Sequence, residues 1–360
     1  MNSVVIRADA SPTIGAGHQM RCLALAQAIS EIGGQAIFSM AGSLPLVEKR
    51  LQDEAIQMMK ITAKPGSAAD AEATIAIANN YEAKWIVADG YYFGGPFQQR
   101  VKASGHNLLS IDDDASSRHY SSDIIVNQNI SAPALDYSAR ETYTEMLLGT
   151  RYALLRRDFL HPPRSTCSSP PTATNILVTL GGGDAMGAIE TVVDAILRSS
   201  LDDLHAIILL SASHPGLPTM LEKIVASPVT INFVEDTTRV ADHMRWAHIA
   251  ISAGGGTSWE LSYFGIPTLL IVAAENQRSS VDELVARGAV AYLGSIEDIT
   301  VASVLQELEK LCHDLPRRQH MARTLYDLVD GLGAHRVAVR LLGMRKDVAD
   351  FPNSKLKETG

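Results

Sequence analysis

The chain reads as an α/β protein of two Rossmann-like doubly wound domains facing across a cleft. Three observations predict it: short apolar runs alternate with stretches of helical period, the alternation stops at a proline-rich segment and then starts again, and glycine-rich turns follow three of the apolar runs. The 360 residues are enough for two packed cores.

In the first half the strands are SVVIRA, QAIFSM, AIQMMK, WIVAD and NLLSID, with DIIVNQN as one more. Helical stretches separate them: one after His18, one near Leu46 to Glu54, and one near Asp70 to Asn80. Pro133 to Phe159 is less regular. HPPRSTCSSPPTAT, residues 161–174, has the proline and small-polar composition of an exposed connector. The second half then gives NILVTLGGGD, a helix from Ile189, LHAIILL, a helix near Leu217 to Val225, VTINFV, and a short helix to Trp246. HIAISAGGG, a helix through Trp259 and Leu261, PTLLIV and further helices to Leu342 complete it. The expected domains are residues 1–160 and 175–343, joined by the 161–174 linker and followed by a polar tail over 344–360. In such folds ligands sit beyond the carboxyl ends of strands, so the cleft is the expected site.

Composition narrows the function. A formal net charge of -9 argues against a nucleic-acid partner. No apolar run approaches the roughly 20 residues that span a bilayer, and MNSVVIRADA lacks a leader pattern, so no membrane insertion and a cytoplasmic location are expected. Cys22, Cys167 and Cys312 are too far apart to suggest a disulfide framework or a zinc site.

The glycine turns are Gly15-Ala16-Gly17, Gly181-Gly182-Gly183 and Gly254-Gly255-Gly256. Each allows close backbone approach and presents helix-start N–H groups, which suits a diphosphate. None matches GxxxxGK[ST] or GxGxxG, which weighs against P-loop hydrolysis and dinucleotide redox chemistry. His18 follows the first turn at the positive end of a helix, where a neutral imidazole is favoured and can accept a proton. Asp89 and Tyr91, in WIVADGYYF, lie at a strand end and are candidates to line the cleft. Asp112, Asp113 and Asp114 point different ways on a turn and read as turn-stabilising residues rather than a glycosidase pair. Glu260, a first-turn carboxylate after the third glycine turn, can accept two hydrogen bonds from a sugar diol.

The blocks RADASPTIGAGHQMRCLALA, VADGYY, IDDDA, VNQNISA, LLGTRYALLRRDF, VTLGGGD, AISAGGGTSWEL and AAENQ, in this order, resemble the UDP-sugar hydrolases of pseudaminic acid biosynthesis. The resemblance implies a GT-B architecture related to the N-acetylglucosaminyltransferase of peptidoglycan synthesis. It also implies hydrolysis of UDP-2,4-diacetamido-2,4,6-trideoxy-β-L-altropyranose, by C–O cleavage at the anomeric carbon with inversion, without a cofactor or metal. His18 maps onto the general base and Tyr91 onto a residue that orients water or sugar, in a setting shaped by Gly15, Gly17 and Asp89. UDP maps onto Gly182, Gly254, Gly255, Gly256, Thr257 and Glu260, and substrate contacts onto Asn276 and Arg156. A GT-B glycosyltransferase, with His18 deprotonating an acceptor hydroxyl, and a non-catalytic UDP-binding module are the other readings.

Overall fold

The computed structural model describes residues 2–164, 169–181, 187–201, 203–212, 214–225 and 229–344. They form two units, the described residues of 2–11, 16–163 and 331–344 in one and those of 12–15 and 164–330 in the other.

The first unit holds a seven-stranded sheet: β1 (Ser3–Ala8), β2 (Gln35–Met40), β3 (Gln57–Lys60), β4 (Trp85–Asp89), β5 (Asn107–Ile111), β6 (Ile124–Asn127) and β7 (Glu145–Leu148). Every pairing is parallel and the spatial order is β3-β2-β1-β4-β5-β6-β7. Helices α1 (Gly17–Glu31), α2 (Pro45–Asp53), α3 (Ala68–Asn80), α4 (Gly95–Ala103) and the short α5 (Arg157–Leu160) supply the crossovers and flanks. β1 is buried along its whole length. Its side chains alternate, Val4 and Ile6 joining one apolar cluster with α1 and Val5 joining another with Ile37, Ile86 and Phe97. That two-sided burial is why parallel strands read as continuous apolar runs.

The second unit repeats the plan with six parallel strands, β8 (Asn175–Thr179), β9 (His205–Leu210), β10 (Thr230–Glu235), β11 (Ile249–Ala253), β12 (Thr268–Val272) and β13 (Val290–Ser295), ordered β10-β9-β8-β11-β12-β13. Around them lie α6 (Ala188–Leu197), α7 (Leu217–Ile224), α8 (Val240–Trp246), α9 (Thr257–Phe264), α10 (Arg278–Ala286), α11 (Val301–His313) and α12 (Leu315–Leu328). In both sheets the chain reverses direction between its first and fourth strands, and that reversal opens a crevice at the strands' carboxyl ends.

One feature differs from the sequence expectation. The second unit does not run to residue 343: the last helix, α13 (Gly333–Leu342), belongs to the first unit. Its apolar stripe, Ala334, Val337, Ala338 and Leu341, is buried in the same cluster as Leu23, Leu25 and Ile29 of α1. Close approach is built in at Gly333, where a Cβ would lie 2.3 Å from the Ala153 carbonyl oxygen. The described residues of the connector are largely exposed, as at His161, Pro162, Pro163, Pro171 and Thr172, but residues 169–174 are also anchored. Ala173 is fully buried, and the buried Arg318 guanidinium donates to the carbonyls of Pro170 and Pro171 as well as to Leu311 at 2.7 Å and Cys312 at 2.6 Å. The prolines marked a break in periodicity, but a tertiary partner decided how the segment lies.

Candidate active site

The first turn of α1 is fastened from below. Gln19, fully buried, donates through Nε2 to the carbonyls of Ala8 at 3.1 Å and Gly42 at 3.0 Å, and its Oε1 accepts from Ser43 at 2.9 Å. Gly15, at φ 72°, makes the left-handed turn just ahead, and Gly17 opens the helix. Helical spacing then places His18, Arg21 and Cys22 on one face. Because β4 lies beside β1, that face meets Asp89 at the end of β4.

His18 Nδ1 lies 2.7 Å from Asp89 Oδ1. Arg21 donates to both Asp89 oxygens, Nε to Oδ2 at 2.7 Å and Nη2 to Oδ1 at 2.7 Å, and the Cys22 thiol donates to Oδ2 at 3.3 Å. Burial by itself would raise the Asp89 carboxyl, but Arg21 and His18 outweigh it and hold the group far below the ordinary carboxylate range. An ionised Asp89 at this distance requires the proton on Nδ1. The Arg21 Nη2 at 3.2 Å therefore cannot donate to Nδ1, and Nε2 keeps the lone pair. The sequence reading rested on the helix end alone, whereas the carboxylate partner now fixes the tautomer.

Arg21 also grips Asp113, two residues beyond β5, through Nη1 to Oδ1 at 2.7 Å and Nη2 to Oδ2 at 3.0 Å. Burial works against its charge, and the two carboxylates more than offset that. The aspartate run thus divides its work. Asp112 Oδ2 accepts from Tyr137 at 2.7 Å, Tyr120 at 3.0 Å and the Ala115 N–H at 2.9 Å, and Asp114 Oδ1 accepts from Ser116 N–H at 3.1 Å. Those two hold the turn, as the sequence suggested; Asp113 does not. Tyr91 packs its ring edge-on to His18, with centroids 5.2 Å apart, and its hydroxyl lies 3.4 Å from Asp113 Oδ2. A cavity of about 430 Å³ opens from this cluster, lined among others by His18, Tyr91, Phe93, Asp113, Ser117 and Tyr120.

The structure brings together His18, Asp89 and Tyr91, and Asp89 faces the imidazole and guanidinium with both oxygens engaged instead of lining open space. Arg156 is elsewhere: it is buried beside Phe159, 4.7 Å from guanidinium to ring, with Nε 3.4 Å from Asp158, and it is not among the cavity's lining residues. Arg21 and Asp113 were missed by sequence reasoning. The signal available was a cation one helical turn after His18 and an acidic run at the end of the neighbouring strand.

In the second unit Gly254, Gly255 and Gly256 link β11 to α9, whose first residue is Thr257, with the half-buried Glu260 in the first turn. A Cβ on Gly254 would lie 2.4 Å from Val281 Cγ2 and 3.3 Å from Gln277 Cβ, so glycine is required there by packing against α10. Asn276 sits in the short turn after β12, the strand paired with β11, so it shares the strand-end edge with the glycine turn. Gly182 lies outside the described residues, as does Cys167. Among the described residues no helix is long and apolar enough to cross a membrane.

Residues 200–332 match the glycosyltransferase family 28 C-terminal domain, a range that ends close to the second unit's last residue, Asp330. The spore coat polysaccharide biosynthesis protein SpsG of Bacillus subtilis is 26% identical over 199 residues, covering 55% of this chain and 58% of that protein. The chain spans about 60% of the length of the curated relatives it matches. Among solved structures, Acinetobacter baumannii MurG superposes with a TM-score of 0.65 at 15% identity, covering 96% of this chain and 100% of that one. An S. aureus MnaA–UDP co-structure gives 0.67 at 14% identity, covering 98% and 100%. The fold is GT-B, with two parallel-sheet α/β domains.

Proposed function

We propose that this chain displaces UDP from a UDP-sugar with inversion at the anomeric carbon, His18 acting as general base. The observation that carries this reading is the His18–Asp89 pair at the crevice between β1 and β4, which leaves Nε2 as the proton acceptor beside a cavity. The nucleophile's oxygen bonds to the anomeric carbon as its proton passes to Nε2, and the C–O bond to the diphosphate breaks with its electron pair leaving on UDP. Asp89 stabilises the imidazolium that forms, and Tyr91 orients the ring and the nucleophile. The nucleotide falls to the second unit, its diphosphate at Gly254 to Thr257 with Gly182, and its ribose diol on Glu260. Asn276 and Arg156 contact the substrate, and Gly15 and Gly17 shape the backbone ahead of the base.

The nucleophile divides two readings. Transfer to an acceptor hydroxyl is favoured by the match of residues 200–332 to a glycosyltransferase domain. Hydrolysis, with UDP-2,4-diacetamido-2,4,6-trideoxy-β-L-altropyranose as substrate, is supported by the ordered motif blocks that resemble the pseudaminic acid hydrolases. A panel of UDP-diacetamido-trideoxyhexoses and UDP-N-acetylhexosamines, assayed alone and with soluble sugar acceptors, separates them. Stoichiometric UDP and free sugar without acceptor mean hydrolysis, and acceptor-dependent release means transfer. Tight UDP binding with no turnover anywhere in the panel would overturn catalysis in favour of a binding module.

A further inference from the structure

We propose that Asp113 is a positioning residue which, acting through Arg21 and Asp89, sets how readily His18 takes up a proton. The inference rests on the reading of His18 as the base.

Arg21 is a single guanidinium forked between two carboxylates, with side chains of Arg21 and Asp113 each only 12% exposed and that of Asp89 fully buried. The groups around the ring are Arg21 on α1, Asp89 and Tyr91 at the end of β4, and Asp113 beyond β5; Cys22 reaches Asp89, and Asp112, Arg118 and His119 line the same cavity. Cys22 is a buried thiol held protonated by that burial and by Asp89, so it carries no charge. With His18 neutral, the Asp89–Arg21–Asp113 set has one negative charge in excess. When the ring is protonated the charges balance. Were Asp113 uncharged, Arg21 would by itself offset Asp89, and a proton on His18 would leave an excess positive charge in a largely buried cluster. Asp113 therefore reserves a place for the proton that the reaction delivers. Its backbone is pinned for this, Asn129 Nδ2 donating to the Asp113 carbonyl at 3.1 Å.

The test is the titration of the His18 ring by 15N NMR in the free protein, assigned against His18→Gln, together with the pH profile of UDP release. Asp113→Asn should move the NMR midpoint to lower pH and carry the acid limb of kcat/KM with it. It should lower kcat roughly three- to ten-fold with KM within about two-fold, and Asp113→Glu should restore both. Arg21→Gln, which removes the competing cation, should move the midpoint the opposite way and serves if Asp113→Asn does not fold. An unchanged midpoint in either variant overturns the proposal, as does a rise in KM with kcat intact. Absence of turnover with every UDP-sugar would remove the base role while leaving the NMR titration to decide the electrostatic claim.

Discussion

A proton on His18 Nδ1 and a lone pair on Nε2 follow from one distance and one ionised partner, 2.7 Å to Asp89. Replacing His18 by Asn should lower turnover by about 10²- to 10⁴-fold. UDP affinity, read by calorimetry, should be unchanged because the nucleotide contacts are proposed for the second unit. Asp89 also makes a pH prediction. Its folded-state carboxyl ionises at lower pH than in the unfolded chain, so its stabilising effect is fully present above the ordinary carboxylate value of about 3.9 and is lost as pH falls below it toward the folded value. Urea midpoints measured from pH 7 down to pH 2 should show the Asp89 contribution intact above about pH 3.9 and falling steeply below it for the wild type. Asp89→Asn should start lower at pH 7 and show a shallower acid slope. A parallel pair of curves would contradict the assignment.

Elements meet in this fold through a few close contacts that glycine or a buried charge permits. Gly254 lets β11 and α10 approach, and Gly254→Ala forces a methyl into the fully buried Val281; we expect about 1–3 kcal/mol of destabilisation by denaturant melting, with UDP binding weakened in step. In the first unit Arg7 of β1 is wholly buried between Asp70 of α3, at 2.7 Å, and Asp9, at 2.6 Å, and stacks 5.0 Å over the Phe93 ring. Asp9 in turn accepts from the N–H groups of Ala41 and Gly42, which lie beside Gln19. The network therefore joins β1, the segment after β2, α3 and the segment after β4. Asp70→Asn breaks the pair from one side, and a cost of about 3–5 kcal/mol is expected in urea unfolding. A change under about 1 kcal/mol would show that the network is not what holds these segments.

At the scale of the molecule, the chain begins the first unit, builds the second, and returns to finish the first with α13. Gly333→Ala should push α13 off the Ala153 backbone and loosen the first unit selectively. Hydrogen exchange should accelerate in α1 and α13 while β8, β11 and β12 stay protected; uniform acceleration in both units would show that the two do not open separately. The sequence by itself determined the repeated β/α pattern and the strand-end glycine turns, because a parallel strand buried on both faces must be apolar throughout and a helix covering it must carry a stripe. It also singled out His18 and put Asp89 at a strand end. Only the tertiary structure decided that Asp89, 71 residues from His18, is its partner, that Asp113, 92 residues from Arg21, shares the same guanidinium, and that α13 belongs to the first core. Periodicity records which face of an element is apolar; strand order decides which elements become neighbours, and an ion pair forms only between side chains that this order brings within reach.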